Sequence, residues 1–242
     1  MNARAFAFLA AAVFALAVAG CNDEAQREAV QHAETLRLEQ QTAASELARN
    51  YEQARTAEQW DLALNYATQL QHLAPNSVPA HEVQATLADT GIHADEQRDN
   101  RRLAALWAYN IEPVNFGADG VLISAYLYSD PKTDAGGSPV RLVLRRHPKW
   151  GRSVYLVLDK GEFDCAPGCK VSIRFDDQTP RDFSATKSMQ NRQALFIDDE
   201  ATIRDMLDKI RVILINTHVG GAPRVLRFEV GGFDRVKLER KS

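Results

Sequence analysis

The strongest constraint on the fold of this chain is a change of residue pattern between residues 102 and 107. From residue 22 to about Arg102 there is no strand-like run and one glycine, Gly91, whereas Ala, Gln, Glu, Leu and Arg, which favour helix, are abundant. Beyond Trp107, short β-branched and aromatic runs alternate with turn residues, as in an all-β sandwich or small barrel. The sequence therefore predicts an α+β fold, with a helical region at 21–102 and a β-sandwich domain containing one short helix at 103–242.

The first 21 residues have the pattern of an export signal. Arg4 precedes an apolar run over residues 5–19, and the run closes on the letters LAVAGC, whose cysteine is Cys21. The run is shorter than the ~20 residues of a membrane span and ends on small residues, as cleavable signals do. In this lipobox the chain resembles bacterial lipoproteins. That resemblance implies removal of a signal peptide at 1–20 and acylation of Cys21, and several acyl chains together anchor a protein stably to a bilayer.

The same resemblance predicts a location on the periplasmic side of the bacterial envelope. Asn22 rather than aspartate follows the cysteine, which in the commonest sorting rule of lipoproteins favours the outer membrane over the inner membrane. The formal net charge of −3 does not favour a nucleic-acid partner.

Two patterns divide the predicted helical region. A faintly apolar heptad face predicts either a short coiled coil or a solvated stalk, and we favour the stalk. That face consists of Ala29, Ala33, Leu36, Gln40, Ala43, Leu47, Asn50 and Ala54. Residues 60–76 then resemble the second helix of a tetratricopeptide repeat, with Tyr51 at a position that is usually a small glycine. Because one repeat cannot bury a continuous face, we expect a helical hairpin. Residues 91–102 form a charged link to the β domain.

Alternating apolar and polar residues predict eight strands in the second region. These strands are 121–128, 140–146, 153–159, 170–175, 182–185, 194–197, 211–217 and 225–230. Asp198, Asp199 and Glu200 precede an apolar pattern typical of a short helix, whose dipole favours acids at its start.

The two cysteines other than Cys21 lie close together in the sequence, as Cys165 and Cys169. In an oxidising compartment this spacing, with Pro167 and Gly168 as the turn, predicts a disulfide across a hairpin. A redox or metal pair is the alternative, although redox pairs usually have two intervening residues and zinc needs further ligands.

Five segments of the second region share an order and spacing with a known family. They are Val171-x-x-Arg174-Phe175-Asp176, Phe183-Ser184-Ala185-Thr186, Ala194-Leu195-Phe196, Ile203-Arg204-Asp205-Met206-Leu207 and Arg227-Phe228-Glu229-Val230-Gly231-Gly232. In these segments, residues 142–233 resemble TagO, a periplasmic lipoprotein associated with type VI secretion, and related envelope lipoproteins without assigned chemistry. In that family a tryptophan commonly replaces Phe183. The resemblance supplies no catalytic residue and does not extend to the helical region.

A dense basic patch at 141–152 is the main candidate binding surface. Arg145, Arg146, Lys149 and Trp150 are its candidate binding residues, and they flank a predicted hairpin turn. Such a patch suits anionic lipid headgroups, lipopolysaccharide or an acidic protein. The alternative is a solvated hairpin whose arginines lie over Trp150.

No pattern in the sequence indicates catalysis. The six histidines are scattered, and the hydrolase, phosphate-binding and metalloprotease motifs are absent, so no metal or cofactor is expected. Two acidic clusters, Asp176 with Asp177 and Asp198 with Asp199 and Glu200, offer oxygen ligands for calcium or carboxylates for acid–base catalysis, but neither has the pattern of a calcium loop. The alternative, which we favour, is that these acids are solvated. We therefore expect a non-enzymatic interaction or scaffold module with a protein partner. A domain that binds envelope lipid, glycan or peptidoglycan is one alternative, and an unrecognised hydrolase is another.

Overall fold

The computed structural model describes residues 6–114, 120–131, 137–166 and 168–240, with side chains from residue 23 onward. By their internal contacts the residues group into two compact units, Met1–Gln97 and Arg98–Ser242. The backbone at Cys21 lies in a helix, but its side chain falls outside the described residues, as do Arg4 and Pro167.

Three helices form the first part of the chain. They are α1 (Phe6–Thr56), α2 (Trp60–Leu73) and α3 (Val78–Ala105). The charged segment 91–102 lies inside α3, so the predicted link is helical. Among the described residues, no helix is both long enough and apolar enough to cross a membrane.

The two halves of α1 differ in their exposure. All residues from 23 to 42 are exposed, whereas Ala44, Tyr51 and Ala54 are buried against α2 and α3. The first half of the heptad face is therefore exposed over residues 23–42, where Gln40 donates to the Leu73 carbonyl of α2, and the second half belongs to a small helical core.

Tyr51 connects α1 to α3 within the first unit. Its ring is fully buried, and its hydroxyl lies 2.9 Å from the Thr86 hydroxyl and 2.7 Å from that of Thr90, both on α3. A buried tyrosine needs such partners for its hydroxyl. The two threonine hydroxyls therefore satisfy the buried tyrosine and join α3 to α1.

The second unit is built on one antiparallel sheet, which confirms the predicted α+β class. Its strands are β1 (Ala108–Pro113), β2 (Val121–Tyr128), β3 (Arg141–His147), β4 (Gly151–Val157), β5 (Cys169–Phe175), β6 (Arg181–Lys187), β7 (Ala194–Ile197), β8 (Val212–Val219) and β9 (Ala222–Glu229). Among the described residues these nine strands follow the order β1-β2-β3-β4-β7-β6-β5-β8-β9. Each of the eight predicted strands is present, and β1 is an addition.

Alternation along the strands gives this sheet one sandwich-like core. In β5, Val171, Ile173 and Phe175 are fully buried, while the intervening side chains face outward. The segment after β2 reaches the far edge of the sheet, where the Asp130 N–H donates to the Arg227 carbonyl of β9 at 2.8 Å. The sheet therefore curls around a single apolar interior.

Two short helices complete the second unit, α4 (Glu200–Leu207) and α5 (Arg235–Glu239). The predicted start of α4 is confirmed, because the Asp199 carboxylate accepts the Thr202 N–H at 3.2 Å and caps the helix. Helix α5, which is capped by Asp234 and anchored by the buried Leu238, was not predicted from the sequence.

Cys165 and Cys169 lie at disulfide-bonding distance, with their Cα atoms 5.1 Å apart. The predicted hairpin across the pair is wrong, because the flanking strands β4 and β5 are not neighbours. β4 pairs with β3 and β7, while β5 pairs with β6 and β8. The bond therefore closes a tight loop within a crossover connection.

Candidate functional site: an arginine and aromatic surface

The basic patch singled out in the sequence lies on the hairpin of β3 and β4. The strands pair in continuous register from Arg141 opposite Val157 to His147 opposite Gly151, so the predicted hairpin is present. Gly151 ends the turn with a φ of +72°, a conformation that favours glycine. The turn places Trp150 at the tip, where 66 % of its surface is exposed.

Arg145 is the centre of a cluster of rings. Its guanidinium carbon lies 5.3 Å from the ring centroid of Tyr155, 5.8 Å from that of Phe196 and 5.9 Å from that of Trp150. Its Nε also donates to the Ser153 hydroxyl at 3.1 Å. The faces of the rings attract the positively charged guanidinium of Arg145. Together with the hydrogen bond, they hold it in a defined place on the outer surface of the sheet.

His147 fixes the conformation of the turn. Its ring stacks on Trp150 with centroids 4.0 Å apart, and its Nδ1 accepts the backbone N–H groups of Lys149 at 3.1 Å and Trp150 at 3.2 Å. Burial lowers the pKa of His147, and the nearby charges of Arg145 and Lys149 lower it further. A neutral imidazole is thus the form that fits this turn.

The structure does not bring all the predicted binding residues together. Arg145 and Arg146 point to opposite faces, because successive side chains alternate along a strand. Arg146 donates instead to the Arg240 carbonyl at 2.9 Å, after α5. Lys149 is exposed at the turn, next to Trp150. The surface therefore contains Arg145, Lys149 and Trp150, but not Arg146.

Several residues that the sequence analysis did not single out extend this surface. Tyr155 and Phe196 face each other across the β4–β7 pair, with ring centroids 4.8 Å apart. On β2, Tyr126 lies 6.0 Å from the Arg141 guanidinium. We call this surface the arginine–aromatic face, formed by Tyr126, Arg141, Arg145, Lys149, Trp150, Tyr155 and Phe196.

Part of this face could have been found from sequence alternation. Tyr126 and Tyr155 stand at outward positions of their strands, between buried residues. Phe196 had no such signal, because its place depends on β7 pairing with β4. Burial raises the pKa of Tyr155, while Arg145 and Arg141 act in the opposite direction.

The arginine–aromatic face carries positive charge that the described residues do not neutralise. Arg141 has a carboxylate oxygen of Asp159 3.7 Å away. Arg145 and Lys149, by contrast, form no ion pair with any described residue, since Arg145 contacts only rings and a hydroxyl. The face thus combines exposed aromatic surface with cations available to an acidic ligand.

The acidic residues considered for catalysis or calcium binding have structural contacts. The Asp176 carboxylate accepts the backbone N–H of Val212 at 2.8 Å, and Asp199 caps α4. Glu200 lies 3.4 Å from Arg204. Within the described residues, no three or more His, Cys, Asp or Glu side chains are placed to hold a metal ion.

No protein-family model and no curated protein matches this chain. A solved structure, the crystal structure of invasion associated protein B from Bartonella henselae, is similar over 53 % of this chain and 86 % of that chain. The identity is 13 % and the TM-score is 0.36. At this level of similarity the match assigns no function to the chain.

Proposed function

We propose that this protein is a lipid-anchored component of the bacterial envelope that acts without catalysis, as an interaction or scaffold module in a periplasmic or secretion-related assembly. The lipobox supports an anchor at Cys21, and Asn22 supports the outer membrane. The bonded pair Cys165 and Cys169 is compatible with an extracytoplasmic location. In this proposal the acyl chains hold the protein to the membrane, and the second unit, Arg98–Ser242, which we call the β unit, recognises a partner.

The exposed half of α1 supports a spacer next to that anchor. Every residue from 23 to 42 is helical and exposed. A helix rises 1.5 Å per residue, so this segment extends about 30 Å. Such a length of polar helix suits a stalk between an acylated Cys21 and the folded core of the first unit.

The arginine–aromatic face is the single observation that supports partner binding. Trp, Tyr and Arg dominate the residues that contribute most to protein–protein affinity, especially where they form a cluster. Arg145 presents a guanidinium held by three rings and lacks a carboxylate partner among the described residues. We therefore propose an acidic partner protein, whose carboxylates would complete the coordination of Arg145.

The anchor is tested by replacing Cys21 with serine and locating the product in cell fractions. We expect the native protein to sediment with membranes and Cys21→Ser to become soluble, because the modified thiol is lost. The matched control, Cys165→Ser, removes a different cysteine and should remain with the membranes. Mass spectrometry should find the acyl chains on residue 21. A Cys21→Ser protein that sediments as before would exclude this anchor.

The partner is tested by photo-cross-linking in intact cells. A photoreactive residue is placed at Trp150, and in a control strain at Met189, which is 99 % exposed on the same unit. We expect one protein to be captured from position 150 and not from 189. In binding assays with that purified protein, Arg145→Glu should weaken affinity by about tenfold or more, and Lys170→Glu should not.

Three outcomes would reject this use of the face. Positions 150 and 189 could capture the same proteins equally, or Arg145→Glu could bind the captured protein with unchanged affinity. Cross-links from position 150 to lipid, lipopolysaccharide or glycan alone would instead assign the face to an envelope ligand, and binding of vesicles that contain anionic lipid would then depend on Arg145.

A further inference from the structure

A second surface of the β unit forms a cleft of about 850 Å³. Its floor is the outer side of β5, β8 and β9, and the end of α3 from Asp99 to Leu103 forms one wall. Four arginines and four carboxylates line it, together with apolar side chains. This volume is within the range of sites that bind small molecules.

Most charges in the cleft are already paired. Arg102 bridges two acids, with Nη1 2.7 Å from a Glu229 oxygen and Nη2 2.8 Å from an Asp99 oxygen. Arg211 also pairs with Asp99, and Arg227 lies 3.2 Å from Glu229. These contacts stabilise the walls, so the same groups are poorly available to a ligand.

Asp176 is likewise engaged by the protein. Its carboxylate accepts the backbone N–H groups of Arg211 at 3.0 Å and Val212 at 2.8 Å. The residue itself has a φ of +45°, an uncommon conformation for a non-glycine residue, at the end of β5. Asp176 therefore joins the β5 turn to the start of β8 and shapes one end of the cleft.

Two charged residues in the cleft, Arg174 and Asp177, form neither an ion pair nor a side-chain hydrogen bond with any described residue. Arg174 is half-buried on β5, and Asp177 is exposed in the turn that follows. They present a cation and an anion to the same cleft, three positions apart in the chain.

Apolar side chains lie next to this pair of charges. Leu214 stands opposite Arg174 in the β5–β8 register and opposite Arg227 in the β8–β9 register. Val225, 46 % exposed, lines the cleft one strand beyond β8. Strands are spaced about 4.8 Å apart, so Leu214 is an apolar position between Arg174 and Arg227 on this surface.

We propose that this cleft binds a short zwitterionic peptide, with its carboxylate on Arg174, an apolar side chain on Leu214 and Val225, and its ammonium group near Asp177. The forked guanidinium matches a carboxylate with two parallel hydrogen bonds. The probe is a tripeptide, because an extended tripeptide of roughly 10 Å carries its two charged ends on either side of one central apolar side chain. This site is independent of the arginine–aromatic face and of the partner proposed for it.

The experiment uses the full-length protein in detergent and calorimetric titration with the peptide Ala-Leu-Ala. Two derivatives serve as matched probes, the C-terminal amide and the N-acetyl peptide. We expect the amide to bind about tenfold more weakly, because it loses the charge-assisted hydrogen bonds of its carboxylate to the Arg174 guanidinium. The N-acetyl peptide should bind several-fold more weakly, because its ammonium charge is lost.

Variants assign each end of the peptide to its residue. Arg174→Gln should weaken binding of the unmodified peptide about as much as amidation of the peptide does. In the Arg174→Gln protein, amidation should then cause little further loss of affinity, as in a double-mutant cycle. Asp177→Asn should remove the effect of N-acetylation. Arg192→Gln, an exposed arginine outside the cleft, is the control and should bind like the native protein.

Specific results would overturn the proposal. One is no binding of Ala-Leu-Ala at millimolar concentration, and another is binding that is unaffected by either Arg174→Gln or amidation. Inorganic phosphate that binds as tightly as the peptide would identify a simple anion site instead. Should Arg174→Gln fail to fold, Arg174→Lys is the second variant, because it keeps the positive charge but not the forked guanidinium. It should still weaken binding of the unmodified peptide.

Discussion

Nη2 of Arg204 lies 3.3 Å from Oε1 of Glu239, and only 3 % of the Arg204 side chain is exposed. The contact joins α4 to α5. Nε of Arg204 also lies 3.4 Å from an oxygen of Glu200. Burial lowers the pKa of Arg204, whereas the two glutamates oppose that shift. A buried guanidinium is therefore kept charged by carboxylates on two helices.

Removing one of these carboxylates should destabilise the β unit. We expect Glu239→Gln to lower its free energy of unfolding by roughly 2 kcal/mol, because a buried charge loses part of its compensation. Amide hydrogen exchange of the sheet measures this loss in the β unit alone. The control is Glu112→Gln, an exposed carboxylate on β1, which should leave exchange unchanged. Identical exchange in both variants would show that the Arg204 contact contributes no stability.

A second prediction concerns Gly232, which packs against the end of α3. Its φ is +73°, and a Cβ atom there would lie 2.6 Å from the backbone nitrogen of Ala104. We expect Gly232→Ala to destabilise the β unit by at least about 2 kcal/mol, from backbone strain and steric overlap together. Hydrogen exchange again provides the measurement.

The control for this variant separates the loss of stability caused by steric overlap from the loss caused by backbone strain. Gly221 has a φ of +82° and open space around its Cβ position. Gly221→Ala should therefore cost only the conformational strain, about 1–2 kcal/mol. Equal losses at the two glycines would contradict a close contact between residues 104 and 232.

The sequence predicted the elements whose signals are local. The alternation in β5 and the acidic start of α4 both depend on neighbours within a few residues. β1 was missed because its sequence AYNIEP has weak strand propensity, and the strand forms through full pairing with β2. The wrong prediction of a hairpin across Cys165 and Cys169 has the same cause. The residues near the two cysteines do not determine which strands pair.

The candidate site was predictable to a similar extent. Arg145 and Trp150 lie on one hairpin, so their proximity follows from a short stretch of sequence. Phe196 joins them only because β7 pairs with β4 across a long connection. The cleft near Arg174 was not predicted for the same reason, because β5, β8 and β9 are brought together by the sheet order.

A third prediction concerns the protonation of His147. Burial, Arg145 and Lys149 lower its pKa, so in the folded protein it should titrate below its ordinary value of 6.5. As the pH falls, His147 therefore becomes protonated at a higher pH in the unfolded chain than in the folded protein. Stability should be highest above pH 6.5 and should be lost as the pH falls through 6.5 toward the pKa of the folded state.

The titration of His147 is measured by NMR of its imidazole protons. Lys149→Ala should raise the pKa toward 6.5, because one nearby positive charge is removed. Lys170→Ala, a matched change on β5, should leave the pKa of His147 unchanged. A native His147 that titrates at or above 6.5 would be incompatible with the buried Nδ1 contacts of the turn.

The last prediction concerns the acid stability of the β unit. The hydrogen bond from Arg102 lowers the pKa of Glu229 below its ordinary value of 4.5, and Arg227 adds to this shift. Because the folded state holds this carboxylate ionised more strongly than the unfolded chain does, Glu229 contributes stability above pH 4.5 and loses it as the pH falls through its folded pKa. We expect Glu229→Gln to be less stable than the native protein above pH 4.5, with a difference that shrinks at lower pH. Urea unfolding over this pH range tests the sign, and Glu112→Gln should give no comparable pH-dependent difference. A difference between Glu229→Gln and the native protein that stays constant with pH would mean that the ion pair with Arg102 is not its cause.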